Sequence, residues 1–411
     1  MLSFEAARAK VIETLAARAK PAVSETLDLT RELSNALGRV LTEDIAADRN
    51  YPPFNRSIRD GFALRAADAA EPGAKLRLIG ESRAGVAFDG AVGAGECVRI
   101  LTGAPVPRGA NAVIMVEFTR AEGDFVVFDQ AARVGQNYVL AGAEARVGEV
   151  MVSRGARLGY AELAMIAEVG HPRIRVSPRP RVAILSTGDE VVGVDQQPGP
   201  FQIRNSNNIS LAAQVTLAGG EPIMHGNAPD ELAELRARIE QALGADMLVL
   251  SGGVSAGKYD LVENVLAELG AEFLFDAVAL RPGKPTVFGW CRGKPVFGLP
   301  GNPVSTMVTF ELFATPAIEI LSGKRPAPLP LFKAKLKHPV KEKSGVAHFL
   351  PARVSWPTAE THEPIVEVLL WEGSGDIGAV VRGNCFLVVS ESKLQLEAGE
   401  WVDVLPRRGS Y

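Results

Sequence analysis

The sequence predicts a multi-domain protein of α/β and β regions: a doubly wound α/β domain, a β-rich domain inserted ahead of it, and a β-barrel or sandwich behind it. Three observations carry this expectation. Between residues 179 and 326, apolar runs ending in glycine alternate with helix-length segments, the pattern of a mostly parallel sheet covered by helices. Residues 49–137 and those beyond 326 instead carry short alternating apolar runs separated by Gly, Pro and Asn, which reads as strands and turns. Pro178 and Pro180 mark a linker between the two textures.

In chain order, Phe4, Ala7, Val11, Leu15 and Ala16 fall near one face of an N-terminal helix that stops before Pro21. A short strand follows in 24–29, then ALGRVLTEDI with Gly38 as its turn. AKLRLIGESRAG and ECVRIL are strands of the inserted region, and residues 146–170 read as strand, turn and helix. RVAILSTGDEV is a buried strand and loop, and NSNNISLAAQVTLAGG is a helix with glycine at its C-terminus. EPIMHGNA is a strand, and DELAELRARIEQALGA a helix opened by Asp230. ADMLVLSGG, KPTVFGW and KPVFGLPG are further strands, with the helix KYDLVENVLAELG between the first two. The segment from Ser305 onward is apolar at helical spacing until Pro316.

Composition narrows the function. The chain has 411 residues and a formal net charge of −4, without a Lys/Arg-rich run, so a nucleic-acid surface is not expected. Cys97, Cys291 and Cys385 are scattered and odd in number, which suits a reducing compartment. The N-terminus has acids and no apolar core of a signal peptide, and no stretch is expected to span a bilayer. A cytoplasmic protein is expected.

In an open α/β sheet, ligands bind beyond the carboxyl ends of the strands. Four expected strand ends there carry unusual residues: 186–190, 251–255, 281–285 and 298–305. Gly252 and Gly253 let backbone N–H groups face an anion without Cβ atoms in the way. Arg281 and Lys284 supply cationic donors, while Asp189, Glu190 and Asp260 are carboxylates of the kind that hold Mg²⁺ beside phosphate. The GLPGNP turn is bare of large side chains, as a polyanionic ligand lying against its backbone would require. There is no GxxxxGK[ST] loop, and no metal-ligand spacing among His171, His225, His338, His348 and His362. In the inserted region, PPFNRSIRDGFA and LTGAPVPRGANA place Asp60 and Thr102 beside glycines in proline-rich loops, a pattern that solvent-exposed turns share.

Taken together, PPFNRSIRDGFA, RILTGAPVPRGANAVIMVE, RVAILSTGDEVV, IRNSNN, DMLVLSGGVSAGKYDLV, LRPGKPTVFG, GKPVFGLPGNPVSTMVTFELF and GSGDIGAVVRGN run through nearly the whole chain. In these stretches the sequence resembles the molybdopterin molybdenumtransferase (MoeA-type) family, which includes the E domain of gephyrin. The resemblance implies a four-domain subunit. Residues 1–48 and 138–178 would form a dimerising first domain, 49–137 an inserted β domain, 179–326 the molybdopterin-binding α/β domain and 327–411 a β-barrel. It also implies adenylylated molybdopterin and molybdate as substrates, Mg²⁺ as cofactor, AMP release, and a homodimer whose clefts are shared between subunits.

Carried over by motif, Asp60, Thr102, Glu190, Asp230 and Asp260 would be the catalytic positions, with Glu190 and Asp260 on Mg²⁺. Ser251, Gly252, Gly253, Ser255, Gly301 and Asn302 would cradle phosphate, and Arg281 and Lys284 would neutralise oxyanion charge. Pro285, Pro300, Pro303, Ser305 and Ser374 would complete the substrate surface. Asn55, Arg56, Arg59 and Asn205 depart from the family pattern, and more positive charge is expected around Asp60. Two other readings stay open here: a molybdopterin adenylyltransferase, and a dimeric scaffold like the gephyrin E domain.

Overall fold

The computed structural model describes residues 1–19, 23–253, 261–342, 345–357, 362–393 and 395–410. Its backbone divides into two compact units. One comprises Met1–Leu27, Gly38–Thr42 and Arg175–Tyr411, and the other Asp28–Leu37 and Glu43–Ile174. Residues 1–48, expected to act as one piece, are therefore divided between the units.

The larger unit is built on a six-stranded sheet in the order Glu221–Ala228, Arg181–Thr187, Met247–Ser251, Lys294–Leu299, Val287–Cys291, Glu272–Phe275. The first four strands are parallel, and Val287–Cys291 runs antiparallel to both of its neighbours. The alternation of side chains along a strand divides Arg181–Thr187 between two cores. Val182 and Ile184 pack with Leu211 and Val215 of helix Ser206–Ala218, while Ala183 and Leu185 pack with Leu235 and Ile239 of helix Leu232–Ala242. Burial on both faces explains the unbroken apolar strand sequences. Helix Leu232–Ala242 starts one residue after Glu231, which makes no side-chain cap, so Asp230 does not open it as expected. Asp230 is free to face elsewhere.

Pro316 does not end the helix that follows GLPGNP. Pro303–Thr309 runs through a π-helical turn, Phe310–Ala314, into Thr315–Leu321. Proline lacks the N–H and crowds the carbonyl one turn back; a wider turn accommodates both defects. The whole span, Pro303–Leu321, has a mean hydropathy of 1.4 and 19 residues, close to a bilayer-crossing length, yet 78% of it is buried in the protein. The sequence reading missed this length because the proline seemed to interrupt it. The helix belongs to the core, with Phe310, Leu312 and Phe313 fully enclosed.

The C-terminal region is a closed barrel, not a sandwich. Strands Ala347–Ser355, Ile365–Val368, Phe332–Leu336, Trp401–Pro406 and Cys385–Val389 pair in that order, and the last returns to the first. Strand Val278–Arg281 corrects the sequence reading, which placed it among the α/β strands. It pairs with the barrel edge instead, Leu280 opposite Ala347 and Arg281 opposite His348, and Leu2–Ser3 extends that edge once more. The first helix, Phe4–Arg18, packs in this unit too: Phe4 meets Phe349 edge-on at 5.3 Å.

The smaller unit carries a six-stranded sheet in the order Ala112–Met115, Gly61–Leu64, Glu96–Ile100, Ala74–Ser82, Phe125–Phe128, Thr119–Glu122. Phe62, Leu64, Leu76, Ile114 and Phe128 form its main core. The register sets Gly61 opposite Ile100, so the residues flanking the two strand ends, Asp60 and Leu101-Thr102, emerge side by side.

Candidate active site

A cleft of about 680 Å³ opens beyond the carboxyl ends of the parallel strands in the larger unit. Its floor is the end of Arg181–Thr187 and the Ser251-Gly252-Gly253 turn. Gly252 and Gly253 have φ of +89° and +64°, and a Cβ on either would come within 2.8 Å of Thr187 or Val262. Glycine is therefore demanded twice, by conformation and by contact. Across from them, Pro300 to Pro303 form the bare turn, with Pro303 in the first helical position, where proline is favoured.

Two helices begin at the cleft. Asn205 caps Ser206–Ala218 by accepting from Asn208 N at 3.0 Å, and Ser206 and Asn207 face the space. Asn302 precedes the second helix, but its side chain leaves the cap and donates to Ser374 Oγ at 2.9 Å. Val304 N donates to the Ser374 carbonyl at 2.9 Å, which ties the turn to the GSGD loop of the barrel region. Asp376 in that loop caps Ile377–Arg382, and the N–H donors of Ala379 and Glu372 hold its carboxyl below the usual range. Two helix N-termini aimed at one space favour an anion.

The polar wall has unspent capacity. Asn207 Nδ2 donates to Ser251 Oγ at 2.7 Å and to the Gly301 carbonyl at 2.8 Å, which fixes the amide and turns Oδ1 away. That Oδ1 and Thr187 Oγ1 are buried without hydrogen-bond partners among the described residues. Buried polar atoms are rarely left unsatisfied, so both await a partner. At one rim Asp230 N donates to Asp189 Oδ1 at 3.1 Å. The Asp230 carboxyl is raised above the ordinary range, first by burial and then by the charges of Asp189 and Glu190. Glu190 and Asp230 line the cleft; among its described lining residues Arg204 is the one cation.

The structure thus brings together Glu190, Asp230, Ser251, Gly252, Gly253, Pro285, Pro300, Gly301, Asn302 and Pro303. Arg281 and Lys284 are exposed and absent from the described lining. Positive potential there comes from the helix ends and Arg204. Ser305 is buried in the first helical turn, and Ser374 acts on the cleft through Asn302. Ser255 and Asp260 lie outside the described residues. Arg204, Ser206 and Asn207 escaped the sequence reading as cleft residues, whereas Thr187 lies within the strand end 186–190 that it marked. An Asn-rich run just before a helical stretch, at a strand end, was the available signal for the three it missed.

In the smaller unit, Asp60 Oδ1 accepts from Thr102 N at 2.6 Å and Thr102 Oγ1 at 2.7 Å. These donors, and Arg99 to a lesser degree, hold the exposed Asp60 carboxyl below its usual range. A depressed folded value means that its stabilisation is present above the ordinary carboxylate range and is lost as pH falls through the lowered one. Thr102→Val should move the Asp60 titration to higher pH, read by carboxyl-carbon NMR; an unmoved titration would show that the hydroxyl contributes nothing. Arg56 is paired with Glu144 at 2.7 Å, which moderates the extra positive charge expected around Asp60. Asn55 Oδ1 accepts from Ala141 N at 3.0 Å, a structural role that explains its amide.

A polar cleft of about 680 Å³ beyond the carboxyl ends of a parallel sheet, beside a small barrel, places the chain among ligand-binding α/β proteins, and the comparisons narrow the class. Residues 2–170 match the family described as "MoeA N-terminal region (domain I and II)", 183–320 "Probable molybdopterin binding domain", and 333–406 "MoeA C-terminal region (domain IV)". A relative from Haemophilus influenzae named molybdopterin molybdenumtransferase is 34% identical, across 99% of this chain and 98% of its own length. One of the same name from Bacillus subtilis is 33% identical across 91% and 88%. The crystal structure of a molybdopterin biosynthesis MoeA protein from Pyrococcus horikoshii superposes with a TM-score of 0.79 at 32% identity, covering 99% of both chains. The chain belongs to the MoeA, or molybdopterin molybdenumtransferase, family.

Proposed function

We propose that this chain takes adenylylated molybdopterin and molybdate, joins the metal to the dithiolene, and releases AMP. The observation that carries the reading is the meeting of two helix N-termini and the Gly252-Gly253 turn in one cleft. Phosphate oxygens would take the backbone N–H donors of the two helix starts and the Gly252-Gly253 turn. Water attacks the adenylyl phosphorus, the bridging P–O bond breaks, and AMP and molybdopterin phosphate part; as the two Mo–S bonds form, one oxygen of molybdate leaves as water with the two thiol protons.

Burial first, and then the charges of Asp189 and Glu190, raise the Asp230 carboxyl, and an acidic rim suits Mg²⁺. Glu190 and Asp230 would hold it together with Asp260; among the described residues no three such side chains close on one point. When bound, Mg²⁺ supplies Lewis-acid polarisation of a phosphoryl oxygen. At neutral pH, millimolar Mg²⁺ should raise the thermal midpoint of the wild type and raise that of Glu190→Gln much less. Equal shifts would remove Glu190 from the ion.

We further propose a cytoplasmic homodimer in which Asp60 and Thr102 of one subunit serve the cleft of its mate, with Lys284 at the edge of that cleft. Lys284 follows Pro282 and Gly283 and precedes Pro285, a stiff backbone that limits the reach of its ammonium. A charge-assisted contact to an oxyanion is worth about 1.5–3 kcal/mol, so its loss would weaken oxyanion binding roughly ten- to a hundredfold. Asp60→Ala and Lys284→Ala homodimers should each be impaired. Differentially tagged heterodimers should regain activity in the cleft that carries neither change. Dead heterodimers would overturn the sharing.

Incubation with adenylylated molybdopterin, molybdate and Mg²⁺ tests the reaction itself. AMP release supports it. ATP consumption with bare molybdopterin would point to an adenylyltransferase, and neither outcome to a scaffold.

A further inference from the structure

The amide of Asn205, one of the residues that depart from the family pattern, has two unequal ends at the floor of the large cleft. The oxygen end is fully used. Oδ1 accepts from Asn208 N at 3.0 Å and lies 3.3 Å from Ser186 Oγ, which donates to Asn208 Oδ1. Asn208 Nδ2 in turn donates to the Gly226 carbonyl at 2.9 Å. A main-chain N–H can only donate, so the contact with Asn208 settles which end of the Asn205 amide is oxygen. The nitrogen end is unspent. Asn205 is 9% exposed and borders the cleft, and its Nδ2 has no hydrogen-bond partner among the described residues, yet it is not sealed behind other atoms.

We propose that Asn205 Nδ2, with Arg204 beside it, forms the side-chain part of a phosphoryl subsite at the start of helix Ser206–Ala218, and so helps to set specificity for the phosphate of the ligand. The inference rests on the reading of the cleft as the place of an adenylylated ligand. The first N–H groups of a helix have no carbonyl within it to bond. Asn205 Oδ1 takes that of Asn208, and those of Ser206 and Asn207 are left for a ligand. Arg204 Nε donates to the Gln196 carbonyl at 3.1 Å and Nη2 to Gln197 Oε1 at 3.5 Å, while Nη1 has no partner among the described residues.

The described lining sets Arg204 against Glu190 and Asp230, so the subsite works through directed donors and not through a surplus of positive charge. Its backbone is anchored. Ile203 N donates to the Glu190 carbonyl at 2.8 Å and Asn205 N to the Val192 carbonyl at 2.9 Å. Donors on a fixed frame lose little freedom when an oxyanion arrives. Aspartate at this position would cap the helix as asparagine does, but it would turn an acceptor toward the cleft where the amide presents N–H bonds.

Titration calorimetry at fixed Mg²⁺ tests the subsite with AMP, the phosphate monoester that the proposed reaction releases, and with adenosine, which lacks the phosphate. The parent should bind AMP more tightly than adenosine; equal affinities would overturn the subsite. Asn205→Asp should lose at least roughly tenfold in AMP affinity, the loss expected for a hydrogen bond to a charged group. Its adenosine affinity and its thermal midpoint without ligand should match the parent's. Asn205→Ser is neutral and still caps the helix, but its hydroxyl reaches less far, so it should lose roughly three- to tenfold. Parental AMP affinity in Asn205→Ser would show that aspartate acts through its charge alone, and would overturn the donor. Equal losses for AMP and adenosine would overturn phosphate as the partner. Should the free Asn205→Asp protein melt well below the parent, Asn205→Ser carries the test by the same criteria. AMP release from adenylylated molybdopterin judges the reaction separately. A parent that releases AMP while its AMP affinity is indifferent to residue 205 keeps the reaction and loses the subsite. One that shows the affinity differences without releasing AMP keeps the subsite and loses the reaction.

Discussion

Gly301→Val is expected to abolish AMP release from adenylylated molybdopterin while the protein still folds. Gly301 has no left-handed backbone, and a Cβ built on it meets nothing closer than Gly252 Cα at 3.6 Å, an ordinary contact. The fold therefore does not require glycine here; the open space of the cleft does. Valine would set two methyl groups between the 300–303 turn and the Gly252-Gly253 turn, where the phosphate is proposed to lie. Displacing two charge-assisted backbone contacts of about 1.5–3 kcal/mol each corresponds to roughly a hundred- to ten-thousandfold loss. The thermal midpoint should stay within a few degrees of the parent's. Full activity in this variant would show that no ligand lies against the turn. A collapse of the thermal midpoint would show that the glycine is structural.

Gly61→Ala is expected to produce the reverse, a folding defect, in the smaller unit. A Cβ on Gly61 would stand 1.9 Å from the Ile114 carbonyl oxygen, a main-chain atom held in the paired strand. Neither strand can yield without breaking the ladder. Overpacking against backbone in a buried sheet should cost about 3–5 kcal/mol, a fall on the order of 10 °C in that unit's unfolding by circular dichroism. Gly123→Ala is the comparison: its backbone is left-handed, but a Cβ there meets nothing within 4 Å, so the cost should be about 1 kcal/mol. If both variants melt alike, the Ile114 contact does not set the cost at Gly61. Asp60 precedes this glycine, so even folded Gly61→Ala protein should show a displaced Asp60 titration.

Much of the cleft was legible because its makers are residues with few alternative uses. Gly252, Gly253, Pro300 and Pro303 announce a turn approached closely by something, and the turn is where they indicated. The β-α alternation likewise exposed the central parallel strands Arg181–Thr187, Met247–Ser251 and Lys294–Leu299, since burial on both faces leaves few polar residues to blur them. What escaped depended on partners distant in the chain. Nothing local to Asn207 reveals that its amide is locked by Ser251 and Gly301. Asn205, read as a departure from the family, caps a helix, a role that asparagine and aspartate fill about equally well. The pairing of Val278–Arg281 with the barrel was invisible for a related reason. A four-residue apolar run does not say which sheet it joins, and its sequence neighbours pointed to the wrong one. Pro316 misled for the opposite cause: its local rule is strong, and a single wider turn sufficed to overrule it.

The migration of that one strand also decides how the protein can be cut. A shortened chain covering residues 183–320 would match a recognised family boundary, yet it would carry Val278–Arg281 away from Ala347 and Arg281 away from its neighbour His348. The freed strand would offer unpaired N–H and C=O groups to any other copy, an invitation to edge-to-edge association. The barrel alone, residues 333–406, would lose the same cover from its flank. Sequence modules and separable pieces therefore do not coincide in this protein: recombination or truncation at the apparent seam trades a stitched joint for two adhesive edges.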